Sequence, residues 1–274
     1  MIKRTIPSSG ESLPVIGMGT YNTFDTNEQA ATEQLTPVLN TFYKGGGRLL
    51  DSSPMYGNAE RIVGSLTSKA PYANELFYAT KVWTSGLKPG IRQMDESFDL
   101  MHRKVIDLMQ VHNLLAWRTH LPVLQEWKAA GKIRYIGITH YTQQHYAELE
   151  TVMRTGVVDF VQFNYSIIER VAEERLLSVA AELGVATLIN RPLGQGRLID
   201  RFKGNPLPAW AAAELDVHSW GAYLLKYVVG HPAVTCVIPA SSNAKHMAEN
   251  MKAGEGSLPD ERTRAKMVAY IRTL

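Results

Sequence analysis

The sequence predicts a (β/α)8 barrel formed as one domain over residues 1–274, with an N-terminal hairpin. Three observations predict it. Strand-like apolar runs alternate with helix-period segments along the whole chain, the units number eight, and polar or ionisable side chains recur at the ends of the runs. Regular β-α alternation implies a parallel sheet, and eight units imply that it closes. An open doubly wound sheet competes, but the chain lacks the Gly-rich dinucleotide fingerprint that such a sheet would carry. A length of 274 residues suits one barrel, which typically takes about 250.

Residues 1–14 carry Pro7, Gly10 and Pro14 and read as a hairpin or cover. The first strand spans 15–20, where Gly17 and Gly19 indicate close backbone approach. Residues 28–43 place Leu35, Val38, Leu39 and Phe42 at helical spacing, and Gly45-Gly46-Gly47 stops the helix. Further strands are predicted at 49–51, 76–81, 105–112, 133–139, 160–164, 186–190 and 234–239. Helices are predicted at 59–68, 90–103, 119–130, 142–154, 171–184 and 218–229, with 259–274 as the eighth. In such a barrel the site lies at the C-terminal ends of the strands, where Asp51, Lys81, His112, Thr139, His140, Gln162, Asn164 and Asn190 fall.

Composition narrows the function. A formal charge of +3 with scattered basic residues gives neither a nucleic-acid footprint nor a polybasic membrane patch. No apolar run is long enough to span a bilayer, and the N-terminus lacks the apolar core of a signal peptide. Cys236 stands alone inside an apolar run, so it reads as a buried, inert thiol in a reducing compartment. The expectation is a cytoplasmic protein, monomeric or a small homo-oligomer, that acts on a small molecule.

The chemistry gathers around 48–60. Asp51 ends a short buried strand, and Tyr56 follows five residues later in a turn set by Pro54 and Gly57. Lys81 ends the next strand and His112 the one after it. A phenol titrating near 10 works as a general acid when a neighbouring charge draws its pKa toward neutrality. An ammonium group favours the phenolate, so Lys81 is expected to lower the pKa of Tyr56, with Asp51 holding the ammonium in place. The plainer reading is a buried Asp51–Lys81 ion pair and a core histidine; four such residues in strand order favour catalysis.

Gly17-Met18-Gly19-Thr20, Leu50-Asp51-Ser52-Ser53-Pro54-Met55-Tyr56-Gly57, Ala79-Thr80-Lys81, Met109-Gln110-Val111-His112, Val161-Gln162-Phe163-Asn164, Ile238-Pro239-Ala240-Ser241 and Glu249-Asn250 together resemble an aldo-keto reductase. The resemblance runs in the right order over nearly the whole chain. It implies hydride transfer between a nicotinamide cofactor and an aldehyde or ketone, with Tyr56 giving the proton and His112 orienting the carbonyl. It also implies the cofactor contacts. Gly19, Thr20, Tyr21 and Asp51 are among the implied cofactor-binding residues. Thr139-His140 stands where Ser-Asn is common, and Gln162 binds the carboxamide. Asn190, followed by Arg191, stands where the family stacks an aromatic ring. Leu193, Gly194 and Gln195 fit a loop along the pyrophosphate, with Pro192 and Gly196 beside them as further implied cofactor contacts.

Ile238, Ala240, Ser241, Ser242, Asn243, Lys245, His246, Glu249 and Asn250 are implied to grip the adenosine end. A basic residue is often found where Ala240 stands, and an arginine where His246 stands. NADPH is expected ahead of NADH. Tyr21, Trp83 and Trp117 are candidates for an aromatic wall over the substrate, and no metal is implied. Short loops after strands four and eight and a short tail after the last helix suggest an open or partner-completed pocket. Two other functions fit parts of the pattern: a nicotinamide-binding regulatory subunit with slow turnover, and a Schiff-base lyase using Lys81.

Overall fold

The computed structural model describes residues 1–274. Eight parallel strands run around the sheet in chain order: β3 (Met18–Gly19), β4 (Leu49–Asp51), β5 (Phe77–Val82), β6 (Ile106–Val111), β7 (Ile133–His140), β8 (Phe160–Asn164), β9 (Ala186–Asn190) and β10 (Cys236–Val237). The first and last meet through single bridges at Ile16–Val237 and Gly19–Ala240, so the sheet closes into a barrel. The outer strands are shorter than the runs 15–20 and 234–239 suggest, because their pairing is confined to these few positions.

A strand turns successive side chains to opposite faces, and this alternation builds the interior in layers. Leu49, Phe77, Leu108, Tyr135, Phe160 and Ala186 pack in an apolar cluster inside the barrel, together with Ile6 and Leu13 from the N-terminal segment. Two and four residues further up the same strands stand Asp51, Lys81, Gln110, His112, Thr139, Gln162, Asn164 and Asn190. The interior is therefore apolar at the floor and polar at the mouth. Gly137 belongs to this scheme: a Cβ there would stand 2.7 Å from Gln110 Cγ, so the glycine leaves room for the Gln110 side chain.

The predicted hairpin forms, with β1 (Lys3–Thr5) antiparallel to β2 (Ser12–Pro14). Arg4 ties it to the segment that leads into the last strand of the barrel by donating to the carbonyls of Val229, His231 and Val234. A larger apolar core lies between the sheet and its surrounding helices. The helix α1 (Glu28–Lys44) begins where Asn27 Oδ1 accepts the Ala30 N–H at 2.9 Å, and it buries Ala31 together with the four residues of the predicted face.

The helix α2 (Ala59–Ser68) coincides with its predicted segment, and α3 (Leu87–Leu100), α4 (Trp117–Ala129), α5 (Tyr146–Met153) and α6 (Leu176–Glu182) follow theirs with shifted ends. Two short helices are additions, α7 (Arg197–Phe202) and α8 (Ala209–Leu215), both in the connection after β9 and ahead of α9 (Trp220–Val229). The eighth unit is also corrected. Its helix is α10 (Ala244–Lys252), directly after β10 and capped by Asn243, while α11 (Glu261–Ile271) is supernumerary. It is fixed to α9 where Tyr223 donates to the Met267 carbonyl and Arg264 to that of Tyr227. No helix is long and apolar enough to cross a membrane.

Candidate active site

A cavity of about 990 Å3 opens at the C-terminal mouth of the barrel. Lys81 forms its buried foundation. Its Nζ donates to Asp51 Oδ2 at 2.7 Å and to the Ser52 carbonyl at 2.6 Å, and the side chain is wholly inaccessible. Gln110 Nε2 donates to the other oxygen, Asp51 Oδ1, at 3.0 Å. Burial opposes the charge on Lys81, but Asp51 and Tyr56 hold its pKa above the ordinary lysine value. The group is an ammonium ion.

Tyr56 stands half-buried above this pair, with Lys81 Nζ 5.0 Å from its ring centroid. The turn that carries it closes through Tyr56 N–H donating to the Ser53 carbonyl at 2.9 Å. Gly57 follows with φ of +58°, where a Cβ would run into Asp25. The expectation that Lys81 brings the phenol toward neutrality is corrected here. Burial pushes the pKa of Tyr56 above its ordinary value, and the downward pull of Lys81 only partly offsets it. The phenol is protonated at neutral pH, which is the form a proton donor needs.

His112 lies 5.8 Å from Tyr56 between ring centroids, nearly perpendicular to it. Its Nδ1 is 2.9 Å from Ser53 Oγ. Burial, then the charges of Lys81 and His140, lower its pKa to about 2, so the imidazole is neutral. Tyr21 and Trp83 stand at the mouth, about two-fifths exposed, with centroids 5.0 Å from Tyr56 and 6.4 Å from His112 respectively.

Most of the predicted cofactor residues line the same cavity: Gly19, Thr20, Tyr21, Asp51, Thr139, Gln162, Asn190, Arg191, Pro192, Leu193, Gln195, Gly196, Ile238, Ala240, Ser241, Ser242, Asn243, His246, Glu249 and Asn250. Others do not. β7 runs through His140, so alternation turns that side chain outward beside Thr139; its Nδ1 accepts the Thr142 N–H at 3.1 Å and its ring stacks on His145. Trp117 opens α4 and donates to Glu148 Oε1, away from the cavity. Lys245 and Gly194 are also outside the lining.

Sequence reasoning missed Met55, Asn113 and Tyr141, each adjacent to a residue that it did select. It also missed Ile199, Asp200 and Lys203, in or beside α7. The connection after β9, the seventh strand of the barrel, therefore forms part of the cavity wall. The first group was within reach of the strand-end rule; the second carries no motif.

The lining fits a nicotinamide dinucleotide. Gln162 Nε2 and Asn190 Oδ1 are buried with no hydrogen-bond partner in the protein. Orphaned buried amide groups are uncommon in folded chains. A carboxamide, with one acceptor and two donors, is their complement. At the far end Ser242 and His246 are exposed toward the cavity, while the Ser241 hydroxyl is engaged locally with the backbone of Asn243.

A sequence model described as the aldo/keto reductase family matches residues 15–266. Among characterised relatives, glyoxal reductase of Bacillus subtilis is 25% identical over 251 residues, covering 88% of this chain and 83% of its own. NADH-specific methylglyoxal reductase of Escherichia coli is 29% identical over 200 residues, 62% of this chain and 60% of its own. A crystal structure of an aldo/keto reductase from Klebsiella pneumoniae, in complex with NADP and acetate, superposes with a TM-score of 0.82 at 21% identity over 98% of this chain and 95% of its own.

Proposed function

The chain belongs to the aldo/keto reductase family, and we propose that it reduces aldehydes or ketones to alcohols with NADPH, Tyr56 serving as the proton donor. The observation that carries the reading is the contact set at the barrel mouth: a protonated phenol over a buried ammonium–carboxylate pair, beside a neutral imidazole. When bound, the reduced nicotinamide supplies hydride to the carbonyl carbon. Gln162 and Asn190 would hold its carboxamide, and Ser242 and His246 its adenosine phosphate.

The protein's own residues handle the oxygen. A carbonyl that accepts hydride becomes an oxyanion, and a donor fixed at that position stabilises the transition state more than the ground state. Tyr56 is that donor. As its proton leaves, the phenolate that forms faces the Lys81 ammonium, so the attraction grows along the reaction. Asp51 keeps Lys81 charged and Gln110 keeps Asp51 in place. His112, neutral at working pH, offers a ring nitrogen to the same oxygen and sets the carbonyl's orientation. Tyr21 and Trp83 supply an apolar mouth for the rest of the substrate.

A Schiff-base role for Lys81 is disfavoured by the same geometry, since a charged amine sealed from solvent is a poor nucleophile. The test is a panel of aldehydes and ketones, including glyoxal and methylglyoxal, assayed with NADPH and NADH for the parent protein and Tyr56→Phe. Turnover should fall by roughly 10²–10⁴-fold in the variant while cofactor affinity stays nearly constant. A variant that keeps most of its turnover removes Tyr56 from this role.

A further inference from the structure

Ser53 sits between the two proton-handling side chains and is completely buried. Its backbone carbonyl accepts the N–H of Tyr56, and its Oγ lies 2.9 Å from His112 Nδ1. The Oγ has one other partner, the Met55 backbone N–H at 3.2 Å, which only donates. A hydroxyl has one hydrogen and can accept twice. Here the sole acceptor within reach of that hydrogen is Nδ1. Were Nδ1 to carry a hydrogen instead, Ser53 would accept twice and its own O–H would be a buried donor with no acceptor, an arrangement folded proteins avoid.

We infer that Ser53 is a positioning residue: it locks His112 in the tautomer with the hydrogen on Nε2, so that the imidazole meets the substrate oxygen as a donor. Nε2 has no partner in the protein, and it is absent from the buried polar atoms that lack one, so it opens to the cavity that His112 lines. A neutral imidazole in the other tautomer would turn a lone pair toward a carbonyl oxygen and repel it. The single residue thus aims both groups, Tyr56 through its carbonyl and His112 through its hydroxyl. The donor role rests on the carbonyl-reduction reading above; the tautomer does not.

The experiment is ¹⁵N–¹H multiple-bond correlation on the histidine-labelled, unliganded protein at neutral pH, with His112 assigned from the signals lost in His112→Asn. Nε2 should resonate as a protonated nitrogen and Nδ1 as an unprotonated one; the reverse overturns the inference. Ser53→Ala should mix the two tautomers and lower kcat by roughly tenfold, a fraction of what a positioned acid–base group contributes, with cofactor Kd unchanged. A Ser53→Ala protein with the parent's tautomer and the parent's kcat also overturns it. Because the spectrum needs no turnover, an inactive parent with Nε2 protonated sinks only the reductase reading.

Discussion

Replacing Lys81 by methionine removes a charge at no great change in shape, and its cost can be worked from the contacts. Lys81 Nζ and Asp51 Oδ2 are 2.7 Å apart in a site closed to solvent. At that separation and an effective dielectric constant near 20, their attraction is about 6 kcal/mol, offset by the desolvation of both ions. The methionine leaves Asp51 as a buried carboxylate with Gln110 as its remaining side-chain donor, and it strips the Ser52 carbonyl of its ammonium partner. Removing one partner of such a pair typically costs 3–5 kcal/mol, and we expect about that loss in urea unfolding followed by circular dichroism.

Asp51→Asn added to Lys81→Met removes the stranded charge and should recover about 2 kcal/mol or more, a coupling read from the double-mutant cycle. Carbonyl reduction should not recover, because the ammonium that stabilises the Tyr56 phenolate is still missing. Stability and activity would then separate in one pair of variants. A loss under about 1 kcal/mol for Lys81→Met, with additive effects in the cycle, would refute the account of the pair as strongly coupled.

Other outcomes follow from the same geometry. His112 and His140 are held neutral by burial at pKa values of about 2 and about 4, below the ordinary 6.5, so the unfolded chain binds their protons first. Stability is complete above about pH 6.5 and falls as pH drops, by roughly 2 kcal/mol per histidine at pH 5; a urea midpoint that His112→Asn and His140→Asn leave equally acid-sensitive counts against this. Ser242→Ala and His246→Ala should each weaken NADPH binding more than NADH binding, whereas Lys245→Ala should leave the ratio unchanged; fluorescence titration decides, and selectivity lost only in the lysine variant reverses the assignment. Asn190→Tyr should weaken cofactor binding by roughly several-fold to tenfold, since the carboxamide loses a buried hydrogen-bond partner, a contact typically worth about 0.5–1.5 kcal/mol. Tighter binding, as an aromatic stack on the nicotinamide would give, would instead remove Asn190 from the carboxamide contact.

The strand ends were the most legible part of the sequence. Asp51, Lys81, His112, Thr139, Gln162 and Asn190 each stand at or next to the end of an apolar run and face inward in the fold. Two-residue alternation explains why. It also explains the failure at His140, which was paired with Thr139 by resemblance but follows it on the same extended strand and so points the other way. Trp117 was misplaced because the backbone at Ala116 takes a left-handed turn, φ of +51°, just before the helix begins. The helices α7 and α8, of six and seven residues, are too short for their apolar spacing to stand out, although α7 helps to wall the cavity. The net direction of the Tyr56 pKa was out of reach as well, because sequence names the neighbouring charge but not the depth of burial.

The join between the first and last strands is made by single bridges, held by Gly17 N–H to the Val237 carbonyl, Gly19 N–H to that of Pro239 and Val237 N–H to that of Val15. Gly19 and Thr20 on one side of this join, and Ile238 and Ala240 on the other, line one cavity. A ligand resting on both edges acts as a rivet across a seam. Its binding free energy opposes the opening of the wall, by about 2.7 kcal/mol at a hundredfold excess over Kd. The empty barrel lacks this reinforcement, so the concentration of free cofactor relative to its Kd would set how strongly each copy resists opening and proteolysis.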